Sequence, residues 1–256
     1  MGINLMVTSI PHSHYLIPTW PAPAFVKACT TLRVDGHSKP PYDSFNLSTV
    51  VADDADAVAQ NRRQLRAELK LKQEPVWIKQ VHGTGAVCAD TVSNNFPEAD
   101  ASYTDVPGIP CAVLTADCLP LLLCHRQGLQ VAAIHAGWRG LASGIIEATL
   151  DELNAPYADW LVWLGPAIGP AAFEVGEEVR ELFLQSDSQA HLAFKPTLPG
   201  KYLADIYQLA RQRLLGYGVN RIYGGQYCTW SDAARFYSYR RDGEKAGRMA
   251  SLIWIE

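Results

Sequence analysis

One stretch constrains the chain more than any other: Ala112–Gly140, AVLTADCLPLLLCHRQGLQVAAIHAGWRG. The runs Ala112–Thr115 and Leu129–Ile134 are short, rich in Val, Leu and Ile, and bounded by Pro, Gly and polar residues, the signature of buried strands. Pro120–Cys124 is a third apolar run, and Arg126-Gln127-Gly128 marks a tight turn between it and the next. The strand ends carry reactive side chains: Asp117 and Cys118 after the first run, His135 after the last. After His135, glycines flank Trp138-Arg139 and let the backbone approach a ligand closely. A helical pattern follows over Leu141–Leu153. Arg139 near its start is placed to hold an anion, with help from the helix dipole and free N–H groups.

Cys118 alone reads equally well as a small buried hydrophobe, since cysteine function follows environment. A third residue changes the balance. His82 ends a strand-like segment, Val76–Val81, ahead of the turn Gly83-Thr84-Gly85. Two imidazoles and one thiolate form a donor set that suits zinc and leaves a fourth position for water or substrate. The three residues are too far apart in sequence to form a local zinc-finger pattern. Asp100, in Glu98-Ala99-Asp100-Ala101, is a candidate to fix the tautomer of a ligating His; a turn-capping role is the alternative.

The chain has 256 residues, of which 48% are hydrophobic and 19% charged, so it has the apolar surface for a sizeable core. A formal charge of −4 argues against a general nucleic-acid binder. No apolar run reaches the roughly 20 residues that span a bilayer, and Met1–Thr19 lacks the features of a signal peptide. The six cysteines show no C-x-x-C and no regular framework, which points to reduced thiols in a cytoplasm. The expected partners are therefore small molecules, without nucleic acid or membrane, for a monomer or weak homodimer.

Elsewhere, His12 and His14 form a His-x-His in a Pro-rich terminus, where a surface segment is the simpler reading. Phe25–Val34 is strand-like. The loop Gly36–Asn46 offers Ser44 and Asn46 to orient a polar ligand, or to cap turns. Asp53-Asp54 caps a helix over Ala55–Leu71 whose apolar stripe is Val58, Leu65 and Leu69. Cys88–Phe96 reads as loop and Trp160–Leu164 as a buried strand. Gly165–Pro170 resembles an anion cradle, a weak motif by itself. Helices are expected over Phe173–Leu184 and Tyr202–Leu215, and strands over Asn220–Gly224, Phe236–Arg241 and Ala250–Ile255. On a strand, Arg240 and Arg241 face opposite ways, so one at most faces a given pocket. Strands and helices mix without strict alternation. This gives an α+β fold class: one domain, 1–256, with mixed β-sheets flanked by helices.

The segments PYDSFNL (41–47), Asn61-Arg62, KQVHG (79–83), Asp100-Ala101, TADCLP (115–120), HAGWRG (135–140), Gly165–Pro170 with Glu174-Val175-Gly176, and Ser238–Asp242 with Gly247-Arg248 together resemble the bacterial YfiH family. That family is also called peptidoglycan editing factor PgeF and has the human relative FAMIN. The resemblance implies a cysteine-hydrolase-like fold with mixed sheets and a zinc held by His82, Cys118 and His135. It implies purine nucleoside phosphorylase activity on adenosine, inosine or methylthioadenosine, with adenosine deaminase activity. Older descriptions of the family imply copper and polyphenol oxidase (laccase) chemistry, which needs more imidazoles than seven histidines in this arrangement supply. A third reading is a metal-free Cys/His hydrolase, with Cys118 as nucleophile, acting on peptidoglycan precursors. Many relatives carry a Cys in the loop that here reads Gly169-Pro170-Ala171-Ala172, so no nucleophile or ligand is expected from it.

For phosphorolysis, Lys79, Arg139, Arg240 and Arg248 are the candidate phosphate anchors, with Asn46 as a further substrate-binding candidate. His82, Cys118, His135 and Asp117 are the candidate catalytic residues, Asp117 as proton shuttle or as support for the metal ligands. Trp138 and Phe45 are candidates for the wall against the purine, with core packing the alternative for each.

Overall fold

The computed structural model describes residues 14–92, 96–153 and 155–256. His12 lies outside them. The chain begins with β1 (Tyr15–Leu16) and β2 (Val26–Thr31), then the helix α1 (Ala55–Glu68). Strands β3 (Ala86–Cys88), β4 (Ala101–Thr104), β5 (Cys111–Thr115), β6 (Leu119–His125) and β7 (Val131–Ala136) follow. Next come α2 (Trp138–Ser143), α3 (Ile145–Glu152), β8 (Trp160–Leu164), β9 (Glu174–Gly176) and α4 (Glu177–Ser186). The last part holds β10 (Phe194–Pro196), β11 (Lys201–Ala204), α5 (Ile206–Gly216), β12 (Arg221–Gly224), α6 (Tyr239–Asp242) and β13 (Met249–Ile255).

A mixed six-stranded sheet runs β12-β8-β6-β7-β4-β3, parallel at both ends and antiparallel between. A four-stranded antiparallel sheet, β1-β2-β13-β5, packs on one face of it. Side-chain alternation dictates this layering. In β6, Leu122 and Cys124 point into the space between the two sheets, with Val113, Ile253 and Trp163. Leu121 and Leu123 point the other way, into a core closed by α3, α4 and α5 through Ile146, Val179 and Leu209. In β13, Leu252 and Trp254 face outward and are covered by Leu65 and Leu69 of α1. Both sheets are thus covered on two faces, and β6, β7 and β13 read as unbroken apolar runs for that reason. A small antiparallel sheet, β10-β11-β9, stands apart.

Several sequence expectations shift. The segment 76–81 is not a strand: it makes only isolated bridges from Val76 to Cys111 and from Lys79 to Glu98. In its place the Gln80 side chain lies along the edge of β5, its Nε2 donating to the Leu114 carbonyl at 2.8 Å and its Oε1 accepting the Leu114 amide at 2.7 Å. The run Leu129–Ile134 enters its strand only at Val131, because the turn extends through Leu129. Cys88–Phe96 is not loop throughout, since Cys88 ends β3. The helix expected over Leu141–Leu153 is two helices, α2 and α3, divided at Gly144, whose φ of +97° suits only glycine.

The helix expected from Phe173 begins only at Glu177, because Glu174–Gly176 pairs with β11. Lys201–Ala204 is likewise strand rather than helix; Asp205 caps α5, accepting the Gln208 amide at 3.0 Å. Phe236–Arg241 is not a strand. Ser238 caps the short helix α6, which changes where the two arginines point.

Candidate metal centre and cavity

The site is built where three segments converge. Cys118 lies in the connection from β5 to β6, His135 is the penultimate residue of β7, and His82 follows the bridge at Lys79. The ligand atoms of His82, Cys118 and His135 lie within 4.8 Å of one another, the one such cluster of His, Cys, Asp and Glu among the described residues. His82 Nε2 is 3.8 Å from Cys118 Sγ, and the two imidazoles meet edge to face with centroids 4.8 Å apart.

Asp100 anchors this arrangement. It is fully buried, and its carboxylate accepts the amides of Val81 (3.2 Å), His82 (3.0 Å) and Gly83 (2.7 Å). It also lies 2.8 Å from His135 Nδ1. A donor on Nδ1 leaves Nε2 as the free lone pair, the tautomer a metal ligand needs. Burial works against the Asp100 carboxylate, but His135 and the amides of Gly83 and Val81 outweigh it and hold its pKa below the usual aspartate range. His82 is held at φ +59° and Asp117 at φ +85°, conformations unusual for residues with a side chain and common where a site imposes them.

The backbone of His135–Gly140 passes close by. A Cβ on Gly137 would meet His82 Cδ2 at 2.7 Å and Cys118 Sγ at 3.2 Å, and one on Gly140 would meet the Gly83 carbonyl at 2.8 Å. These glycines admit the ligands rather than a turn. Burial disfavours the Cys118 thiolate, yet His135 and His82 facing the sulfur bring its pKa down to about 6. Burial likewise disfavours a charged His135, and Cys118 and Asp100 outweigh it, raising its pKa. A tetrahedral ion with bonds of about 2.0–2.3 Å needs donor atoms roughly 3.3–3.8 Å apart. The His82–Cys118 pair meets this at 3.8 Å, the set as a whole, within 4.8 Å, would close by up to about 1 Å, and two N and one S donor fit zinc. The four other described histidines, His14, His37, His125 and His191, belong to no such cluster. His14, for one, lies between the carboxylates of Asp35 and Glu68.

The cluster lines a cavity of about 700 Å³. Its wall is apolar and aromatic, with Trp77, Ile78, Trp138, Ile168, Phe173 and Tyr239, and four arginines reach it: Arg62, Arg139, Arg240 and Arg248. Arg139 stacks over the Trp138 ring at 4.2 Å. Arg240 lies over Phe173 and donates from Nη1 to the Glu174 carbonyl. Arg248 donates from Nη1 to the carbonyls of Ala246 and Gly247. Lys79 also lines the cavity, but is ion-paired with Glu98 at 2.7 Å. Arg241 turns away, paired with Asp242 and donating to the carbonyls of Thr229, Trp230 and Phe236.

Four expected roles change. Asp117 lines the cavity, but its carboxylate is filled by Thr229 Oγ1 (2.5 Å), Ser238 Oγ (3.0 Å) and the Arg240 amide (2.6 Å). It ties residues 229–240 to the Cys118 loop instead of standing free for proton transfer. Asn46 is fully buried and does not line the cavity; its amide bonds Asp53 and Ser48, and its Oδ1 accepts the Arg248 amide at 2.9 Å. Phe45 is core, whereas Trp138 lines the cavity. Gly165 and Gly169 form no anion cradle, since they pack against Pro120 and Cys228.

Sequence reasoning treated α1 as structural and so missed Arg62. The signal was present: Val58, Arg62, Leu65 and Leu69 fall on one helical face, so a charge interrupts an apolar stripe.

Residues 27–256 match the family model described as "Multi-copper polyphenol oxidoreductase laccase". The chain is also 51% identical over 243 residues to "Purine nucleoside phosphorylase YfiH" of Escherichia coli, covering 95% of this chain and 99% of that one. The chain belongs to the YfiH family. A second YfiH relative, "Purine nucleoside phosphorylase PA4543" of Pseudomonas aeruginosa, is 53% identical over 243 residues, 94% of this chain and 98% of its own. The crystal structure of Neisseria meningitidis protein NMB0706 superposes with a TM-score of 0.92 at 45% identity, covering 95% of this chain and all of the other. The expected YfiH fold, with mixed sheets flanked by helices, is therefore the observed one. Among the described residues no helix is long and apolar enough to cross a membrane.

Proposed function

We propose that this chain cleaves purine nucleosides with phosphate and also deaminates adenosine, with zinc held by His82, Cys118 and His135. One observation carries the reading: a His-His-Cys donor set and several guanidinium groups share one aromatic-walled cavity. A nucleoside needs a flat apolar wall, phosphate needs cations, and deamination needs an activated water. The names of the two relatives agree with the first reaction.

In phosphorolysis a phosphate oxygen forms a bond to C1′ while the N9–C1′ bond breaks. The purine leaves with that electron pair and takes up a proton, giving free base and ribose 1-phosphate. Arg139 and Arg240, at the cavity mouth, hold the phosphate by charge-assisted hydrogen bonds. Trp138, Phe173 and Ile168 hold the base and keep water from it. Asp100 keeps His135 and the turn bearing His82 in register. Zinc held by His82, Cys118 and His135 would supply a Lewis acid and lower the pKa of a water towards 7. In deamination a water oxygen bonds to C6 of adenosine while the C6–N6 bond breaks, and N6 leaves with that electron pair and a proton as ammonia.

A metal-free hydrolase with Cys118 as nucleophile draws on the lowered thiol pKa beside His82. A multicopper oxidase needs further copper centres rich in imidazoles, and the described residues hold one cluster, with two imidazoles and one thiol. The test is elemental analysis of purified protein, followed by chromatography of products from adenosine and inosine with and without phosphate. Free base and ribose 1-phosphate only with phosphate, plus inosine from adenosine, is the expected result. No turnover of any purine nucleoside by zinc-loaded protein removes the phosphorylase reading. Hydrolysis by metal-free protein, blocked by alkylating Cys118, establishes the alternative.

A further inference from the structure

Four arginines line the cavity, and among the described residues none has a carboxylate within 4 Å of its guanidinium. The one acidic residue in the lining, Asp117, is filled by Thr229, Ser238 and the Arg240 amide. The cavity therefore has more fixed positive charge than a single phosphate needs, since a pair of guanidinium groups already answers a dianion.

The surplus has a location. Arg139 and Arg240 are exposed, as phosphate anchors at the mouth should be. Arg62 is half-buried. Its Nε and Nη2 donate to the Leu47 carbonyl at 3.0 and 2.8 Å, and its guanidinium lies over the Trp77 ring at 4.2 Å. Leu47 in turn donates its amide to the Arg248 carbonyl at 3.3 Å, so Arg62 and Arg248 flank one residue. Burial pulls the Arg62 pKa down and Glu74 raises it. Glu74 itself accepts Trp77 Nε1 at 2.8 Å. Arg62 also interrupts the apolar stripe of α1, where an uncharged side chain would pack more cheaply. A guanidinium fixed along its Nε–Nη2 edge by one carbonyl, stacked on an indole and facing a cavity has the build of an anion site. Trp77 and Arg62 belong to the α1 side of the molecule, whereas Trp138 and Phe173 pack on the core beyond the six-stranded sheet. The arginines thus fall on two walls of the cavity, Arg62 beside Trp77 and Arg139 and Arg240 beside Trp138 and Phe173.

We propose that the cavity accepts a purine nucleoside carrying a phosphomonoester on its ribose, and that Arg62 takes that phosphate while Arg139 and Arg240 serve inorganic phosphate. This rests on the nucleoside reading above and specifies the ligand class for the same cavity. The 5′- and 3′-monophosphates present the same chemistry, and the experiment separates them.

The test is calorimetric titration of the zinc-loaded full chain with inosine, inosine 5′-monophosphate and inosine 3′-monophosphate, each with and without saturating inorganic phosphate. One nucleotide is expected to bind at least tenfold more tightly than inosine, with the preference kept in saturating phosphate. The ratio of nucleotide to inosine affinity is expected to fall at least tenfold in Arg62→Met and to recover in part in Arg62→Lys. No preference for either nucleotide overturns the proposal. So does a preference that vanishes in saturating phosphate, because the ester then occupies the inorganic phosphate site. A preference that persists in Arg62→Met overturns the role of Arg62. The comparison in the wild-type protein stands even if a variant misfolds. Turnover of inosine with phosphate, measured on the same sample, tests the nucleoside reading by itself: nucleotide preference without turnover removes the phosphorylase, and turnover without preference removes only this inference.

Discussion

Asp100 and His135 meet at 2.8 Å, both buried, with the same Asp100 oxygen accepting the His82 amide at 3.0 Å. One carboxylate therefore orients the His135 ring on a strand and the backbone of His82 on a loop. Asp100→Asn keeps the shape but presents an amide NH₂ or a weaker acceptor to four donors. Zinc affinity is expected to fall about 10–100-fold, measured by competition with a chromophoric chelator. Unchanged affinity would show that the loop holds His82 without Asp100.

Cys118→Ala removes one donor and leaves β5 and β6 intact. The variant is expected to fold, with an unchanged far-UV spectrum, and to lose metal on gel filtration. Phosphorolysis and deamination should fall together. Full metal occupancy in this variant would exclude Cys118 as a ligand.

Gly137→Ala puts a methyl 2.7 Å from His82 and 3.2 Å from Cys118. The ring must move, so metal affinity should drop more than stability, which overpacking lowers by about 1–3 kcal/mol. Parallel chelator titration and thermal melts separate the two. A stability loss with intact metal binding would mean that His82 accommodates the methyl.

Arg139→Lys keeps the charge and loses the fork. The phosphate KM is expected to rise about tenfold, while deamination, which uses no phosphate, changes much less. Equal loss of both reactions would take Arg139 out of phosphate binding.

Acid stability should depend on Glu68. Burial opposes its carboxylate, but Tyr15, Gln64 and His14 outweigh it and lower its pKa below 4.5. A depressed folded pKa contributes stability above the unfolded value, lost as pH falls through the folded one. Glu68→Gln is therefore expected to cost about 1 kcal/mol near pH 7, with the gap to wild type closing below about pH 4.5. Melting curves from pH 7 to 3 check this; a constant gap would assign the loss to packing.

The strands were the most legible part of the sequence, because β6, β7, β8 and β13 are covered on both faces and leave plain apolar runs. The grouping of His82, Cys118 and His135 was legible from their donor chemistry, and the three side chains do converge. What the sequence hid are features decided by partners distant in the chain. Val175 looks helical until β11 pairs with it, and Gln80 extends β5 through a side chain, not its backbone. Asp117 looks like a free acid beside Cys118 until Thr229 and Ser238, more than a hundred residues later, fill it. Asn46 has the chemistry of a ligand-binding group, but Ser48, Asp53 and the distant amide of Arg248 take up its side chain.

The bond pair between Gln80 and Leu114 also bears on how copies of this chain meet. β5 is the last strand of its sheet, and an open strand edge invites another chain to add a strand. The Gln80 carboxamide occupies the donor and acceptor of Leu114 as a neighbouring strand would, and Val76 bridges the same edge at Cys111. Because Gln80 and Leu114 also line the cavity, the device that blocks edge-to-edge aggregation is at the same time a piece of the ligand wall. Selection on either property is then felt by the other, and a Gln80 substitution made to alter ligand choice carries an aggregation risk that a substitution of Trp138 would not.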